Sequence, residues 1–322
     1  MYDFTILVLE GAFPSSVAVT RDMLAAAQAL AARAKVAPPR WRLCSVAGGT
    51  VRLQGGMTIE TVKLPVRARE DGSIWVLPGL GLNTPSEITQ RFIAPDVEKV
   101  IAGLVRHIDN GGRVAASCSA VFLLQAAGLL HGRKVTTTWW LAPLLQSMVP
   151  DCTVDADRMV CADGQVITAG AAFAQTDLML YLLRERFGGA LSDTVSRMML
   201  IDGRQAQAPF IIPEALASGS DLVVRIAARV EAILPNAPSI AELAQEFCMS
   251  ERTLSRHIHK ATGKSTIALV QSVRLRRARN LLETSRMSIE QIAEAVGYRD
   301  ATALRRLMRK MAGANPSKYR SG

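Results

Sequence analysis

The chain has 322 residues, 49% apolar and 20% charged, enough for two domains of a globular protein and excluding a disordered or fibrous one. Its net charge of +10 is unevenly placed: residues 1–219 carry 20 Lys and Arg against 19 Asp and Glu, residues 220–322 carry 18 against 9. A uniformly basic protein is thereby excluded, and the sequence reads as a near-neutral module followed by a basic one whose expected partner is a polyanion.

From the N-terminus, Phe4–Leu9 reads as a buried strand, not as the core of a signal peptide, because no basic region precedes it. Further strands are predicted at Trp41–Ala47, Ile74–Leu77 and Val114–Ser117, each a near-continuous apolar run bounded by Gly, Pro or charge. Helical patterns fall between and after them, at Val17–Arg33, Pro95–Asn110, Ser119–Ala127, Leu141–Met148 and Gln175–Phe187. Thr153–Thr168 carries Gly164 in a polar turn and suggests a hairpin. Alternating strands and helices predict an α/β parallel sheet covered on both faces. The uncharged stretch from Val114 to His131 is long enough to span a membrane, but Ser117, Ser119, Gln125 and Gly128 make a strand-to-helix turn the better reading.

Five cysteines (Cys44, Cys118, Cys152, Cys161 and Cys248) form no CxxC pair, which argues against a disulfide framework and a zinc site. A cytoplasmic protein with reduced thiols is expected, without metal, cofactor or membrane partner. Residues 204–220, rich in Pro and Gly without a clear period, separate domain 1–203 from an all-α domain at 221–322.

That second domain contains a repeat. Ile240 and Ala244 match Ile289 and Ala293 at an offset of 49, and Leu254, Ile258 and Gly263 match Leu304, Met308 and Gly313 at 50, so the second copy has one extra residue in its turn. Each copy opens with a capping-box pattern, Ser239 with Glu242 and Ser288 with Gln291. Each continues as two helices joined by a turn, the shape of a helix-turn-helix. Leu254, Ile258 and Ala261 in the first copy, and Leu304, Met308 and Met311 in the second, share an inward stripe. The outer faces are then Glu251, Arg252, Ser255, Arg256 and His259, and Thr302, Arg305, Arg306 and Arg309, side chains suited to base edges and phosphates of duplex DNA. Thr266–Ser285 reads as one connecting helix about 30 Å long, close to the roughly 34 Å repeat of the major groove. Its Arg274, Arg276, Arg277 and Arg279 either grip phosphate or simply solvate the helix.

The motifs SERTLSRHIHKATGKS, VRLRRARNLLETSRMSIEQIAEAVGY and GANPSKYR make Ser239–Gly322 similar to the AraC/XylS type of regulator domain. Leu304 and Met308 stand where that family usually has Phe, which implies a lighter core in the second unit. The resemblance implies a transcription regulator that binds promoter DNA, recruits RNA polymerase and forms a homodimer.

In the neutral module, RVAASCSAVFLLQAAG places Cys118 between a strand and a helix, the position of a nucleophile elbow, where the following helix is expected to lower the thiol pKa. Neither His107, on a predicted surface helix, nor His131, in a polar turn, is an obvious base. Residues 3–200 resemble the PfpI-type, glutamine-amidotransferase-like domain with a flavodoxin-like fold, and with the basic domain they resemble the GlxA group of regulators. Thr138, in Thr136-Thr137-Thr138-Trp139, stands where that group commonly has His. The loop after the first strand offers no acid after Glu10. The resemblance therefore implies no catalytic residue and a small-molecule effector pocket. Its candidate residues are Gly79, Leu80, Cys118, Ser119, Thr138 and Trp139, with Phe13 and Phe173 beyond them. Quaternary amines and amino acids are the ligand classes implied, the former through cation–π contact with Trp139 unless the ring is simply core. The competing reading is a hydrolase or hydratase using Cys118, with a DNA-binding module attached.

Overall fold

In the computed structural model, residues 2–64, 71–201, 204, 207, 221–312 and 315–319 are described. The chain divides into two compact units, residues 1–204 and 205–322.

The first unit is built on an eight-stranded, mostly parallel sheet: β1 (Phe4–Leu7), β2 (Trp41–Ser45), β3 (Gly49–Arg52), β4 (Thr58–Lys63), β5 (Ile74–Leu77), β6 (Arg113–Ser117), β9 (Val160–Asp163) and β10 (Val166–Ala169). A separate two-stranded pair joins β7 (Lys134–Val135) to β8 (Thr153–Val154). The strand order is β3-β4-β2-β1-β5-β6-β10-β9, with antiparallel pairs only at its two edges. The central strands β1, β5 and β10 are buried at every position, which is why they appear as unbroken apolar runs in the sequence.

Helix α1 (Pro14–Leu30) connects β1 to β2, and α3 (Pro95–Asp109) connects β5 to β6. These crossovers run in opposite directions from the central pair, so right-handed connections place α1 and α3 on opposite faces. Accordingly α1 packs with α6 (Ala174–Phe187) and α7 (Gly189–Met198), while α3 packs with α2 (Pro85–Phe92) and α4 (Val121–Ala126). A further helix, α5 (Ala142–Met148), packs on α4 and β8. The strand order reverses between β1 and β5, the switch point that opens a crevice at the carboxyl ends of a parallel sheet. This is the expected α/β architecture.

Several elements of this unit had not been predicted, the short β7–β8 pair among them. Strands β3 and β4 bury only one residue each, Val51 and Thr61, so they show no apolar run. Helix α2 buries only Ile88, although Thr84 and Glu87 announce it with a capping box. Helix α7 follows α6 after Gly188, whose φ of +88° suits glycine. The predicted hairpin is present as β9 and β10.

The second unit is helical: α8 (Asp221–Ala232), α9 (Ile240–Glu246), α10 (Glu251–Thr262), α11 (Thr266–Thr284), α12 (Ile289–Ala295) and α13 (Ala301–Ala312). Both predicted capping boxes are formed, with Ser239 and Ser288 accepting from the backbone N–H of Glu242 and Gln291. Leu254, Ile258, Leu304, Met308 and Met311 are buried, and Ala261 is half-buried. Among the described residues no helix is long and apolar enough to cross a membrane.

Candidate functional sites

The repeated units are α9–turn–α10 and α12–turn–α13. The first turn passes through Cys248 at φ +54° and the second through Gly297 at φ +82°. These residues correspond at the offset of 49, so both turns use one left-handed residue at the same place. The extra residue of the second copy falls after it. Gly297 is required twice over: besides its φ, a Cβ there would lie 2.2 Å from the Pro235 carbonyl oxygen.

On α10, Glu251, Arg252, Arg256 and His259 are exposed on one side of a helix capped by Ser250. Ser255 is half-buried, and its hydroxyl shares a 3.2 Å hydrogen bond with that of Thr266 on α11. On α13, Thr302, Arg306 and Arg309 are exposed. Arg305 is half-buried and pairs with Glu290 of α12 at 3.4 Å. A bidentate contact from Arg305 to a base therefore requires that pair to open.

The arginines of α11 divide into separate roles. Arg274 lies over the Tyr298 ring at 5.2 Å, joining the connecting helix to the second turn. Arg276 pairs with Glu231 of α8, and Arg279 with Glu283. Arg277 is exposed. At 19 residues, α11 spans about 28 Å, somewhat less than the roughly 34 Å of one DNA turn.

In the first unit, Cys118 follows β6 directly and has φ +56°, the strained conformation of an elbow. Three neighbours hold it there. Its N–H donates to Gly170 O at 2.8 Å, and its carbonyl accepts from Thr137 Oγ1 at 2.8 Å. Gly79 faces it: a Cβ at residue 79 would sit 2.9 Å from Cys118 Cβ and 3.5 Å from the hydroxyls of Ser16 and Ser117. Ser119 donates to Leu80 O, closing the turn after β5 over the turn after β6.

The elbow is closed. Cys118 is 1% exposed, and Ser119 and Thr138 are fully buried. Burial pushes the Cys118 thiol up to about 11, against the expectation that the helix lowers it. The first turn after Cys118 is 3₁₀, and the following helix α4 has only six residues, too little to offset complete desolvation. The expectation for His107 is also corrected. It is buried against the sheet, stacked on Trp75 with ring centroids 4.4 Å apart, and its Nε2 lies 3.2 Å from Arg113 O. Arg113 begins the strand that ends at Cys118, so His107 stands at the opposite end of β6, about 16 Å away along the chain. His131 is exposed and paired with Asp151.

Ser117 Oγ and Thr138 Oγ1, on either side of the Cys118 and Thr137 contact, and Gln175 Oε1 on α6 are buried without a hydrogen-bond partner among the described residues. Trp139, 6% exposed, packs edge-on against Trp140 at 5.0 Å, so its ring is largely covered. Phe13 is half-buried, and Phe173 is 64% exposed.

Sequence reasoning missed Asp177. It lies buried in the first turn of α6, and Arg204 binds it through its backbone N–H at 2.6 Å, Nη2 at 2.7 Å and Nε at 3.1 Å. Desolvation still holds the carboxyl above its ordinary range, with Arg204 opposing. Arg204 also donates to Phe173 O. The segment from Gly170 to Phe173, which anchors the Cys118 N–H at one end, thus anchors Arg204 at the other. The only sequence signal was an acid amid the apolar start of a helix. Among the described residues no group of His, Cys, Asp and Glu could hold a metal.

The DJ-1/PfpI family model matches residues 20–185, and a helix-turn-helix domain model matches residues 243–322. The chain is 25% identical over 310 residues to the HTH-type transcriptional regulator GlxA of Rhizobium meliloti, covering 95% of this chain and 91% of that one. It is 26% identical over 286 residues to the HTH-type transcriptional regulator GbdR of Pseudomonas aeruginosa, covering 88% and 75%. The arabinose operon regulatory protein of Escherichia coli matches 83 residues at 35% identity, 26% of this chain and 28% of that one. Among solved structures, an AraC family transcriptional regulator from Pseudomonas putida superposes with a TM-score of 0.52 at 20% identity, over 62% of this chain and all of that one. The chain belongs to the DJ-1/PfpI family, in the form that joins this domain to an AraC-type pair of helix-turn-helix units.

Proposed function

We propose that the chain is a DNA-binding transcription regulator: residues 221–322 read promoter DNA, residues 1–203 sense a small metabolite, and 204–220 link them. The observation that carries this reading is the pair of turn-and-helix units, each with a capped first helix, one left-handed turn residue and an exposed basic face, joined by a helix about 28 Å long. Arg252, Arg256, Arg306 and Arg309 are the principal contacts, with Glu251, His259 and Thr302 beside them; Ser255 and Arg305 begin in internal hydrogen bonds. The regulator role agrees with the relatives' names as transcriptional regulators, and a homodimer acting in the cytoplasm with RNA polymerase as its downstream partner belongs to the same reading.

The effector site is assigned to the elbow, where Gly79, Leu80, Cys118, Ser119, Thr138 and Trp139 surround buried hydroxyls without partners. Binding there requires the closed elbow to loosen, and the segment Gly170–Phe173 carries that movement to Arg204, where the linker begins. We favour a non-enzymatic role because, among the described residues, no histidine or carboxylate acts on the buried, protonated thiol. The elbow backbone itself favours the second reading, a Cys118-dependent hydrolase or hydratase.

One experiment separates them. A panel of amino acids and quaternary amines is screened by thermal shift against the full chain and its Cys118→Ala variant, with amide and isonitrile turnover measured in parallel. The regulator reading expects one compound class to stabilise the chain and alter promoter affinity, without turnover. Turnover lost in Cys118→Ala establishes the enzyme instead.

A further inference from the structure

A cavity of about 500 Å³ opens between α3 and the ends of β2 and β4, and it shares no lining residue with the Cys118 elbow. That volume lies within the roughly 300–1,000 Å³ typical of small-molecule sites. Its apolar wall is formed by Val46, Leu64, Trp75 and Ala102. Gly103 keeps this wall thin: a Cβ there would touch the Trp75 ring at 3.5 Å and Leu64 at 3.7 Å, so the helix lies close over both.

The polar part of the lining has one sign. Lys63 and Lys99 line the cavity, both exposed, and neither belongs to an ion pair among the described residues. Arg106 lies about two helical turns beyond Lys99 on the same wall. No carboxylate is present among the described lining residues. The adjacent Asp71 is committed elsewhere, bound by Arg42 at 2.7 Å and by the Trp75 indole N–H at 3.0 Å. Burial holds His107 below its ordinary range, so at neutral pH the positive charge offered to a ligand comes from the lysines.

An apolar chamber with cations at its rim suits a ligand of matching polarity. We propose that this cavity is a second ligand site, for an organic anion that combines a carboxylate with an aromatic or alkyl body. The body packs on Val46, Leu64 and Trp75, and the carboxylate lies between Lys63 and Lys99. Such a site gives the neutral module an input separate from the elbow.

The test is calorimetric titration of the full chain with 4-phenylbutyrate and its neutral counterpart 4-phenylbutyramide. The expected result is saturable binding of the acid, with the amide at least tenfold weaker. Joint reversal at two exposed positions, Lys63→Glu with Lys99→Glu, weakens the acid at least tenfold and leaves the fold intact by circular dichroism. Ala102→Trp fills the cavity and abolishes binding, whereas Cys118→Ala leaves it unchanged. The proposal is overturned if no saturable binding occurs at millimolar acid, if acid and amide bind equally, or if the charge reversals leave affinity unchanged. It is also overturned if Ala102→Trp converts an oligomer to a monomer in sedimentation while acid binding persists, which would make the cavity a face for self-association.

Discussion

Replacing Arg204 by Ala removes the counter-ion of a buried carboxylate. The Asp177 side chain is 3% exposed, and that of Arg204 is 31% exposed. The substitution deletes the contacts from Nη2 at 2.7 Å and Nε at 3.1 Å but keeps the backbone N–H at 2.6 Å. Breaking one partner from a buried pair costs about 3–5 kcal/mol. The retained backbone donor and the partial exposure of Arg204 place the expected loss below that, at about 2–3 kcal/mol. The deficit depends on pH with a definite sign. Burial raises the Asp177 carboxyl in the folded chain, and loss of Arg204 raises it further. As pH falls through that raised value, the folded state takes up a proton that the unfolded state, titrating near 3.9, does not. The variant's deficit therefore shrinks as pH falls through the variant's raised value, and the change is complete once the carboxyl is protonated in both folded chains. Urea unfolding followed by tryptophan fluorescence reads this directly, because Trp41, Trp75, Trp139 and Trp140 all lie in the first unit. Adding Asp177→Asn to Arg204→Ala should recover part of the loss, since the stranded charge is gone. A deficit below about 0.5 kcal/mol, or one that stays the same across an acid titration from pH 7 downward, refutes the view of Arg204 as the clamp on Asp177.

Other consequences follow for the two units. Gly297→Ala places a methyl 2.2 Å from Pro235 O at a left-handed φ, and is expected to unfold the second unit in a thermal melt while leaving the tryptophan transition in place. Ser239→Ala and Ser288→Ala each remove a cap donor's acceptor and should cost about 1 kcal/mol by chemical denaturation read in the far ultraviolet. Cys118, with its thiol pushed up to about 11, should resist iodoacetamide at pH 7 in the folded chain, whereas the exposed Cys248 is labelled first by mass spectrometry. Rapid alkylation of Cys118 would show that the elbow opens to solvent.

The sequence disclosed most where burial was uniform or the pattern repeated. Strands β1, β5 and β6 were legible because both their faces are packed, β2 because buried Cys44 and Ser45 extend a half-buried run, and the two reading units because their core positions recur at 49 and 50. The edge strand β3 and its neighbour β4 were hidden by their single buried residues. At the elbow, the residues forming the turn were legible from the strand–Cys–helix order, but its chemistry was not. Complete desolvation of Cys118 depends on Gly79 and Ser119 arriving from separate loops, and no local pattern records that. His107 was misplaced for a similar reason: its partner Trp75 lies 32 positions earlier on another strand. Ser255 and Arg305 sit where spacing put them, yet their side chains turn to Thr266 and Glu290, which helix periodicity alone does not show.

The central claim is that two tandem units read DNA one turn apart. Its most direct test is selection of duplexes from a random-sequence pool by the full chain, with binding of the winners measured by fluorescence anisotropy at about 150 mM salt. The account predicts a motif of two half-sites about 10 base pairs apart, bound at least a hundredfold more tightly than scrambled DNA. It further predicts that Arg256→Ala degrades recognition of one half-site and Arg306→Ala that of the other. A pool that yields no recurring motif, or selected and scrambled duplexes bound equally, would contradict it.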